Sequence, residues 1–379
     1  MQRCLELARL GGGYTAPNPM VGAVLVHEDR IIGEGYHQLY GQAHAEVNCL
    51  RSVKPEDLPL IRQSTMYVSL EPCAHYGKTP PCADLIIEKQ IPRVVVGCRD
   101  PFKEVDGKGI GKLKAAGVAV EVGVLEEACR GLNRRFFTFN TQHRPYIVLK
   151  WAQSANGRLA AGKGGRLHGD EPRAKEDDGV DRRGRDGGVE GGGNRGHDDE
   201  PRTLISNDYT NRLVHKWRSE EAAILVGTHT ALADDPALTV RLWTGPDPIR
   251  LVIDKDLRLP ESLRVLDRTV RTIVFNTIKH EEQDNLLYYQ VATDTSLIHQ
   301  IMIALYQLRI QSVLVEGGAL LLQSFIDEGY WDEARVITNE DLYIPEGLAS
   351  PVLKDPLLIS RERLFSDTLC YYENPAALA

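Results

Sequence analysis

The chain has 379 residues, 42% hydrophobic and 26% charged, which is typical of a soluble globular protein long enough for two domains with separate cores. Its net charge of −8 argues against a broad nucleic-acid surface, and no apolar run is long enough to span a membrane. The first residues do not resemble a signal peptide. The number of cysteines, seven, is odd, which favours a reducing cytoplasm over a disulfide scaffold.

The first predicted elements lead from a helix into a hairpin. Residues 2–10 have an amphipathic pattern that predicts a helix ended by three glycines, and its abrupt start would fit a first helix shortened by a few residues at its front. A Pro-Asn-Pro turn centred on Asn18 then leads into a buried strand, and residues 30–35 are the return strand. Asn18 is either a plain turn residue or an amide that faces a site, and spacing alone favours the turn.

The next predicted helix, residues 43–50, carries His44 and Glu46, and Cys73 and Cys82 follow a predicted strand. One imidazole and two thiolates are three zinc ligands, which leave the fourth tetrahedral position open as in catalytic sites. Glu46 is placed to move protons rather than to bind the metal. This order of residues is the mark of zinc-dependent deaminases. The alternative is a chance His-x-Glu beside two buried thiols. It is disfavoured because all parts occur in order, at strand-to-helix edges that stabilise thiolates.

Further polar residues follow each strand end. His75 and Lys78 lie in the loop between the two cysteines, where Lys78 would suit a phosphate or a carbonyl, although an exposed lysine is usually only solvated. Asp100 closes the carboxyl end of a predicted strand, where the sites of α/β proteins gather. The glycine-rich run 107–111 resembles a nucleotide loop, but no strand leads directly into it. We therefore interpret it as a loop before a helix over 112–116.

Three motifs in this half resemble the deaminase half of the bifunctional riboflavin-biosynthesis deaminase/reductase family: residues 18–22, 44–46 and 71–82. The wide cysteine spacing separates them from cytidine and transfer-RNA adenosine deaminases, which have Cys-x-x-Cys. The resemblance implies a cytidine-deaminase-like three-layer α/β/α domain with one zinc ion bound by His44, Cys73 and Cys82, and Glu46 as proton shuttle. It implies a pyrimidine and phosphate pocket lined by Asn18, His75, Lys78 and Asp100. Phe102 departs from the family, which often has Asn there, so one substrate contact differs.

The second half begins at a short linker near His143 and a predicted strand over 147–152. The pattern Lys150-x-Ala-x-Ser-x-x-Gly-Arg resembles the opening of the family's reductase domain. Asn156 stands where Asp is usual, which makes one hydrogen-bonding group neutral. The segment 166–203 holds nine glycines, eleven acidic and eight basic residues and no aromatic residue, so it cannot offset its ordering entropy. We interpret it as a disordered insertion; the alternative is an electrostatic interaction arm.

The remaining reductase signals are strand ends followed by polar or glycine-rich turns. A helix over 207–219 and a buried strand over 222–227 precede a loop, 228–241, which is either a ligand site or a plain Asp-Asp-Pro turn. Residues 312–319 are predicted to form a strand, a glycine turn and the start of a helix. Glycines have no side chain, so the main-chain amides of such a turn can approach a phosphate.

The resemblance implies a dihydrofolate-reductase-like α/β fold for this half. NADPH would contact Ala152, Thr230, Gly317 and Gly318, and less surely Leu204 and Lys255. The phosphorylated ribose substrate would be held by Arg218, Asp234, Leu238, Arg241 and Glu316, with Lys150 close to it. An arginine pair suits a phosphate because its hydrogen bonds can be bidentate.

The sequence thus predicts an α/β enzyme of two domains, 1–142 and 143–379, that carries out two consecutive steps of riboflavin synthesis with Zn²⁺ and NADPH. We expect a small phosphorylated pyrimidine as substrate, no nucleic-acid or membrane partner, and a homo-oligomer. Three alternatives remain. They are a deaminase whose reductase half is impaired by the insertion, a base deaminase acting on nucleic acid, and a zinc-stabilised binding module without activity.

Overall fold

The structure is a computed structural model that describes residues 1–76, 80–102, 105–161 and 205–377. Lys78, Leu204 and the predicted insertion 166–203 lie outside the described residues. Two large sheets, one in each half of the chain, organise the described part, and a two-stranded ribbon accompanies the second. Among the helices of these residues, none combines the length and apolar character that crossing a bilayer requires.

The first sheet has five strands in the order β2-β1-β3-β4-β5. Its strands are β1 (Gly22–His27), β2 (Arg30–Tyr36), β3 (Thr65–Leu70), β4 (Arg93–Cys98) and β5 (Ala119–Val122). β1 pairs antiparallel with β2 and β3, whereas β3, β4 and β5 run parallel. The alternation of a strand sends successive side chains to opposite faces, so Ala23 and Leu25 join one core and Val24 another.

Helices cover both faces of this sheet. They are α1 (Gln2–Arg9), α2 (Ala45–Arg51), α3 (Cys82–Glu88), α4 (Lys108–Ala115), α5 (Glu126–Leu132) and α6 (Arg134–Gln142), with a 3-10 segment over Pro55–Gln63. Side chains of α2, α3 and α4 share one core with the sheet. Those of α1, α5 and α6 pack on the opposite face. The expected three-layer α/β/α architecture is confirmed.

Two local predictions in this half are wrong. α2 begins at Ala45, so His44 is its N-cap residue rather than part of the helix. The run 107–111 is not a loop before a later helix, because α4 begins at Lys108. Gly107 has a φ of 79°, in the left-handed region that favours glycine. A Cβ on Gly109 would come within 1.9 Å of the Pro72 carbonyl oxygen. These glycines allow the helix to start against the Pro72–Cys73 segment and do not form a nucleotide loop.

The second sheet has ten strands in the order β11-β12-β10-β9-β8-β13-β6-β14-β17-β16. They are β6 (Tyr146–Ser154), β8 (Ala223–Gly227), β9 (Ile249–Ile253), β10 (Thr272–Asn276), β11 (Glu281–Gln283), β12 (Leu286–Gln290), β13 (Ser312–Glu316), β14 (Glu333–Asn339), β16 (Leu357–Leu364) and β17 (Asp367–Glu373). The strands from β12 to β14 in the spatial order run parallel. β7 (Arg158–Ala161) and β15 (Gly347–Ala349) form the ribbon.

Four helices accompany this sheet: α7 (Asp208–Glu220), α8 (Thr228–Asp234), α9 (Leu297–Gln307) and α10 (Ala319–Asp327). α9 and α10 pack on one face, and α7 packs on the other through Val214 and Trp217. The predicted loop over 228–241 is wrong in its first half, because Thr230 and Asp234 lie in α8. β8, β13 and β6 are parallel neighbours, so their carboxyl ends meet at one edge of the sheet, where ligand sites form in such folds.

Candidate active sites of the two domains

Three elements of the first half bring the predicted metal ligands together. His44 caps α2, Cys73 follows β3, and Cys82 is the first residue of α3. The Nδ1 atom of His44 lies 3.5 Å from the Cys73 sulfur and 3.4 Å from the Cys82 sulfur. Tetrahedral zinc, with bonds of about 2.0 Å to nitrogen and 2.3 Å to sulfur, separates such atoms by roughly 3.5 Å. The three side chains therefore fit a zinc ion, and no fourth ligand joins them from the part of the chain that the structure describes.

The surroundings of Cys73 favour its thiolate form. The pKa of this thiol lies well below its usual range, because the Cys82 thiol and then the His44 ring donate hydrogen bonds to the sulfur. The main-chain N–H of Cys82 also donates to it, across 3.3 Å. A thiolate is the form that binds a metal, so the site is prepared for one.

Glu46 lies in the first turn of α2 and is buried, with 3% of its surface exposed. Burial, and then the charge of Cys73, raise the pKa of the Glu46 carboxyl. The nearby His44 acts in the opposite direction, and the carboxyl also contacts the Cys82 side chain. A buried carboxyl with a raised pKa beside the ligand cluster can take up a proton and release it.

His37, which the sequence did not single out, connects Asn18 to the ligand cluster. Its Nδ1 atom lies 3.1 Å from the Ala43 carbonyl oxygen, and its Nε2 atom lies 3.1 Å from the Asn18 amide nitrogen. Its ring meets the His44 ring edge-on at a centroid distance of 5.5 Å. Burial lowers the pKa of His37. A neutral ring that donates from Nδ1 and accepts at Nε2 satisfies both contacts. The Asn18 side chain, which stands in a turn, is therefore linked to the ligand cluster through the His37 ring.

Asp100 and Glu71 are two buried carboxyl groups near Cys73. Burial is the main cause that raises the pKa of the Asp100 carboxyl, to about 7, and the charge of Glu71 adds to it. The buried Glu71 carboxylate accepts hydrogen bonds from the main-chain N–H groups of Asp100, Gly107 and Ile110, at 3.3, 3.0 and 3.1 Å. Glu71 thus ties the end of β4 and the start of α4 to the segment that carries Cys73. Its only sequence signal was its position beside Pro72.

His75 is the remaining described residue of the predicted pyrimidine and phosphate pocket. Its Nδ1 atom is buried and has no hydrogen-bond partner within the described ranges. Its ring lies edge-on to Phe102 at a centroid distance of 6.3 Å. A buried polar atom without a partner is what a bound ligand satisfies. Lys78, predicted for the same pocket, is outside the described residues.

In the second half, Lys150, Arg218 and Glu316 form a largely buried charge cluster, with 11–14% of each side chain exposed. Lys150 on β6 stands opposite Glu316 on β13, and Arg218 reaches them from α7. Arg218 donates two hydrogen bonds of 2.9 Å to the two Glu316 oxygens, and the Lys150 ammonium lies 3.6 Å from one of them. Burial alone would raise the pKa of Glu316, but the charges of Arg218 and Lys150 outweigh it and lower the pKa to about 2. Glu316 therefore stays ionised and orients both cations.

Beside this cluster, the segment around Arg241 is held by a histidine that the sequence did not indicate. The Arg241 main-chain N–H donates to His215 Nδ1 across 3.0 Å. Burial, and then the charges of Arg218 and Arg241, lower the pKa of His215 to about 4, so the ring stays neutral and able to accept. The Arg241 guanidinium donates to the Thr239 hydroxyl at 3.0 Å. Leu238 is 2% exposed and packs in a core cluster, which leaves its main chain for any ligand contact.

The described residues among those predicted to bind the cofactor lie around the ends of β6, β8, β9 and β13. Gly318 is the N-cap residue of α10, and its N–H donates to the Thr230 hydroxyl across 3.0 Å. Among the described residues, a Cβ on Gly318 would meet nothing closer than that hydroxyl, at 3.5 Å, so the Gly318 side of the turn is open. A Cβ on Gly317 would instead come within 2.9 Å of the Leu321 side chain. Ala152 lies on β6, and Lys255 follows β9. An open glycine turn before a helix suits a cofactor phosphate. Leu204 is not among the described residues.

The two sheets, the zinc-ligand cluster and the glycine turn define a two-domain enzyme, a metal-dependent deaminase joined to a nucleotide-dependent reductase. Two family models match the chain. "Cytidine and deoxycytidylate deaminase zinc-binding region" covers residues 1–98, and "RibD C-terminal domain" covers 145–339. The chain belongs to the RibD family of riboflavin biosynthesis proteins.

Several relatives are similar to this protein over most of the chain. The riboflavin biosynthesis protein RibD of Aquifex aeolicus is 38% identical across 92% of this chain and 88% of its own. The Escherichia coli protein of the same name is 32% identical across 89% and 85%. A solved Thermotoga maritima structure, a diaminohydroxyphosphoribosylaminopyrimidine deaminase/5-amino-6-(5-phosphoribosylamino)uracil reductase, matches with a TM-score of 0.80 and 33% identity. It covers 98% of this chain and 97% of that one. The expected zinc and NADPH dependence and the expected pair of activities are confirmed.

Proposed function

We propose that residues 1–142 hydrolytically deaminate 2,5-diamino-6-(5-phosphoribosylamino)pyrimidin-4-one, and that residues 143–379 reduce the ribosyl group of the product to ribityl with NADPH. The boundary is supported by the end of α6 at Gln142 and the start of β6 at Tyr146. The deamination is supported above all by the cluster of His44, Cys73 and Cys82 with the buried Glu46 beside it. Zinc bound there would supply a Lewis acid that makes water nucleophilic at neutral pH.

The protein's own groups perform the proton transfers and hold the substrate. Glu46 takes a proton from the attacking water and returns it to the amino group, which leaves as ammonia; its raised pKa suits a group that must hold the proton between the two transfers. The Asn18 amide and the unpaired His75 nitrogen are available to hydrogen-bond the pyrimidine or its phosphate. We also assign Asp100 and Lys78 to the binding of this substrate.

For the reduction, the protein mainly positions two ligands, and the cofactor carries the hydride. We assign NADPH to Ala152, Leu204, Thr230, Lys255, Gly317 and Gly318. The phosphorylated substrate is assigned to Lys150, Arg218, Asp234, Leu238, Arg241 and Glu316. Arg218 and Arg241 bring positive charge to one side of the site, and Glu316 and His215 hold them there. The reductase family model matches across 145–339, which gives no support to an impaired reductase half.

Replacing Glu46 by alanine tests the first step. We expect the variant to retain one zinc ion per chain, since Glu46 is not a ligand, and to lose ammonia release by a factor of about 100 or more, the usual contribution of a positioned proton-transfer group. NADPH oxidation with the deaminated compound should equal that of the parent and serves as the internal control. Ammonia release at the parental rate would refute the assignment of Glu46.

A further inference from the structure

The loop that carries Asn18 lies at the contact between the two domains. A Cβ on Gly13, at the start of this loop, would come within 2.7 Å of the carbonyl oxygen of Ser219 in α7, so the domains pack closely there. Arg135 of α6 is paired with the buried Glu221 just after α7, with one bond of 2.7 Å. This ion pair joins α6 of the first domain to the second domain.

One hydrogen bond crosses from the second domain to the loop itself. The side-chain amide of Gln311 donates from Nε2 to the Pro17 carbonyl oxygen across 2.6 Å. Gln311 directly precedes β13 and is 6% exposed, and its own carbonyl accepts from the Tyr146 N–H at 2.8 Å. The Gln311 main chain is therefore held between the starts of β13 and β6.

On the deaminase side, the same loop is anchored beyond Asn18. The Asn133 side chain accepts from the Met20 N–H at 2.8 Å and donates to the Met20 carbonyl at 2.9 Å. Asn18 thus lies between an anchor from its own domain and an anchor from the other domain. The peptide group that Gln311 binds joins Pro17 to Asn18, so the position of its oxygen sets the orientation of the Asn18 main chain.

We propose that Gln311, a residue of the reductase domain, is a positioning residue of the deaminase site, where it fixes the Asn18 amide against His37 and the substrate. The inference rests on the proposed role of Asn18 as a substrate contact. It deepens that role, because the deaminase pocket is then completed by the second domain. Gln311 acts through Asn18 and touches no reacting atom, so its effect falls on substrate binding.

Replacing Gln311 by methionine removes the donor and keeps most of the volume. We expect the KM for the diaminopyrimidine to rise about fivefold, which corresponds to about 1 kcal/mol for one neutral hydrogen bond, with kcat for ammonia release and zinc content unchanged. Gln311→Asn, one methylene too short to reach Pro17, should give a similar rise. NADPH oxidation with the deaminated compound should keep its parental KM and kcat. Those values show that the second domain is still folded, and if Gln311→Met does not fold, Gln311→Asn carries the test.

Gln142→Met is the matched control. Gln142 also donates its amide to a carbonyl oxygen, that of Ala377, at 3.1 Å, but from the far end of α6. This variant should leave the deaminase KM at the parental value. A parental KM in both Gln311 variants would overturn the inference, and so would a fall in kcat with KM unchanged.

The Asn18→Ala variant separates this inference from the proposed function. In that background Gln311→Met should change KM less than twofold, since the residue through which it acts is gone. If Asn18→Ala alone leaves KM at the parental value, the substrate role of Asn18 is wrong. If Asn18→Ala raises KM and Gln311→Met does not, the positioning role of Gln311 alone is refuted.

Discussion

Replacing Glu316 by glutamine removes the carboxylate that Arg218 and Lys150 share, and leaves two largely buried cations beside a neutral amide. The pKa of Glu316 is about 2, against an ordinary value of 4.5. A difference of that size corresponds to about 3 kcal/mol of stability at neutral pH. Removing one partner of a buried ion pair costs a similar amount, about 3–5 kcal/mol. We therefore expect the variant to lose about 3 kcal/mol of unfolding free energy.

Tryptophan fluorescence during urea unfolding measures this loss, because all four tryptophans of the chain lie in the second half: Trp151, Trp217, Trp243 and Trp331. With a denaturant slope of about 2–3 kcal/mol per molar urea, the midpoint of the tryptophan transition should fall by roughly 1–1.5 M. Ammonia release below the transition should stay at the parental rate, since the cluster belongs to the reductase domain.

Glu282→Gln makes the same chemical change at an exposed ion pair. Glu282 accepts from Arg271 at 2.9 Å, with about half of each side chain exposed. Exposed pairs contribute about 0–1 kcal/mol, so this variant should unfold close to the parent. If Glu316→Gln shifts the midpoint no more than Glu282→Gln does, the reasoning on the buried cluster is refuted.

Two further outcomes follow from the same domain. Below about pH 6.5 the unfolded chain protonates His215 while the folded chain, with a pKa of about 4, does not, so stability falls as the pH falls through this window. The free energy of unfolding, measured in urea, should fall between pH 7.5 and pH 5.5 by about 1 kcal/mol less in His215→Gln than in the parent. An equal fall in both proteins would contradict a buried, neutral His215 ring. Gly318→Ala places its Cβ 3.5 Å from the Thr230 hydroxyl and into the open glycine turn. We expect a parental unfolding midpoint and a KM for NADPH raised about tenfold, and a parental KM for NADPH would place the cofactor elsewhere.

The zinc cluster and the architecture could be predicted because their signals are local in the sequence. His44 and Glu46 are two residues apart, and both cysteines stand where a strand meets a helix, so element order alone brings them together. The interpretation of the glycine run 107–111 as a loop is wrong because the contacts that explain its glycines are not local in the sequence. Gly109 leaves room for the Pro72 carbonyl oxygen, which is far away in sequence, and Gly107 adopts a positive φ; a single sequence displays neither feature.

The residues that sequence reasoning missed act across long separations. His37 reaches Asn18, His215 holds the main chain of Arg241, and Gln311 bonds to a loop almost 300 positions earlier. Each does so through one or two hydrogen bonds, which leave no periodicity or spacing in the chain. Thr230 was placed in a loop because its helix, α8, has seven residues and no side-chain cap, and so gives little of the pattern by which a helix is predicted.

The central claim is that one chain performs both steps, and a stoichiometry measurement tests it most directly. The purified chain is supplied with the diaminopyrimidine substrate and NADPH, and ammonia release and NADPH oxidation are followed in the same sample. We expect one NADPH to be oxidised for each ammonia released, with ammonia release preceding NADPH oxidation. Ammonia release without NADPH oxidation, persisting when the deaminated compound is supplied directly, would contradict the claim.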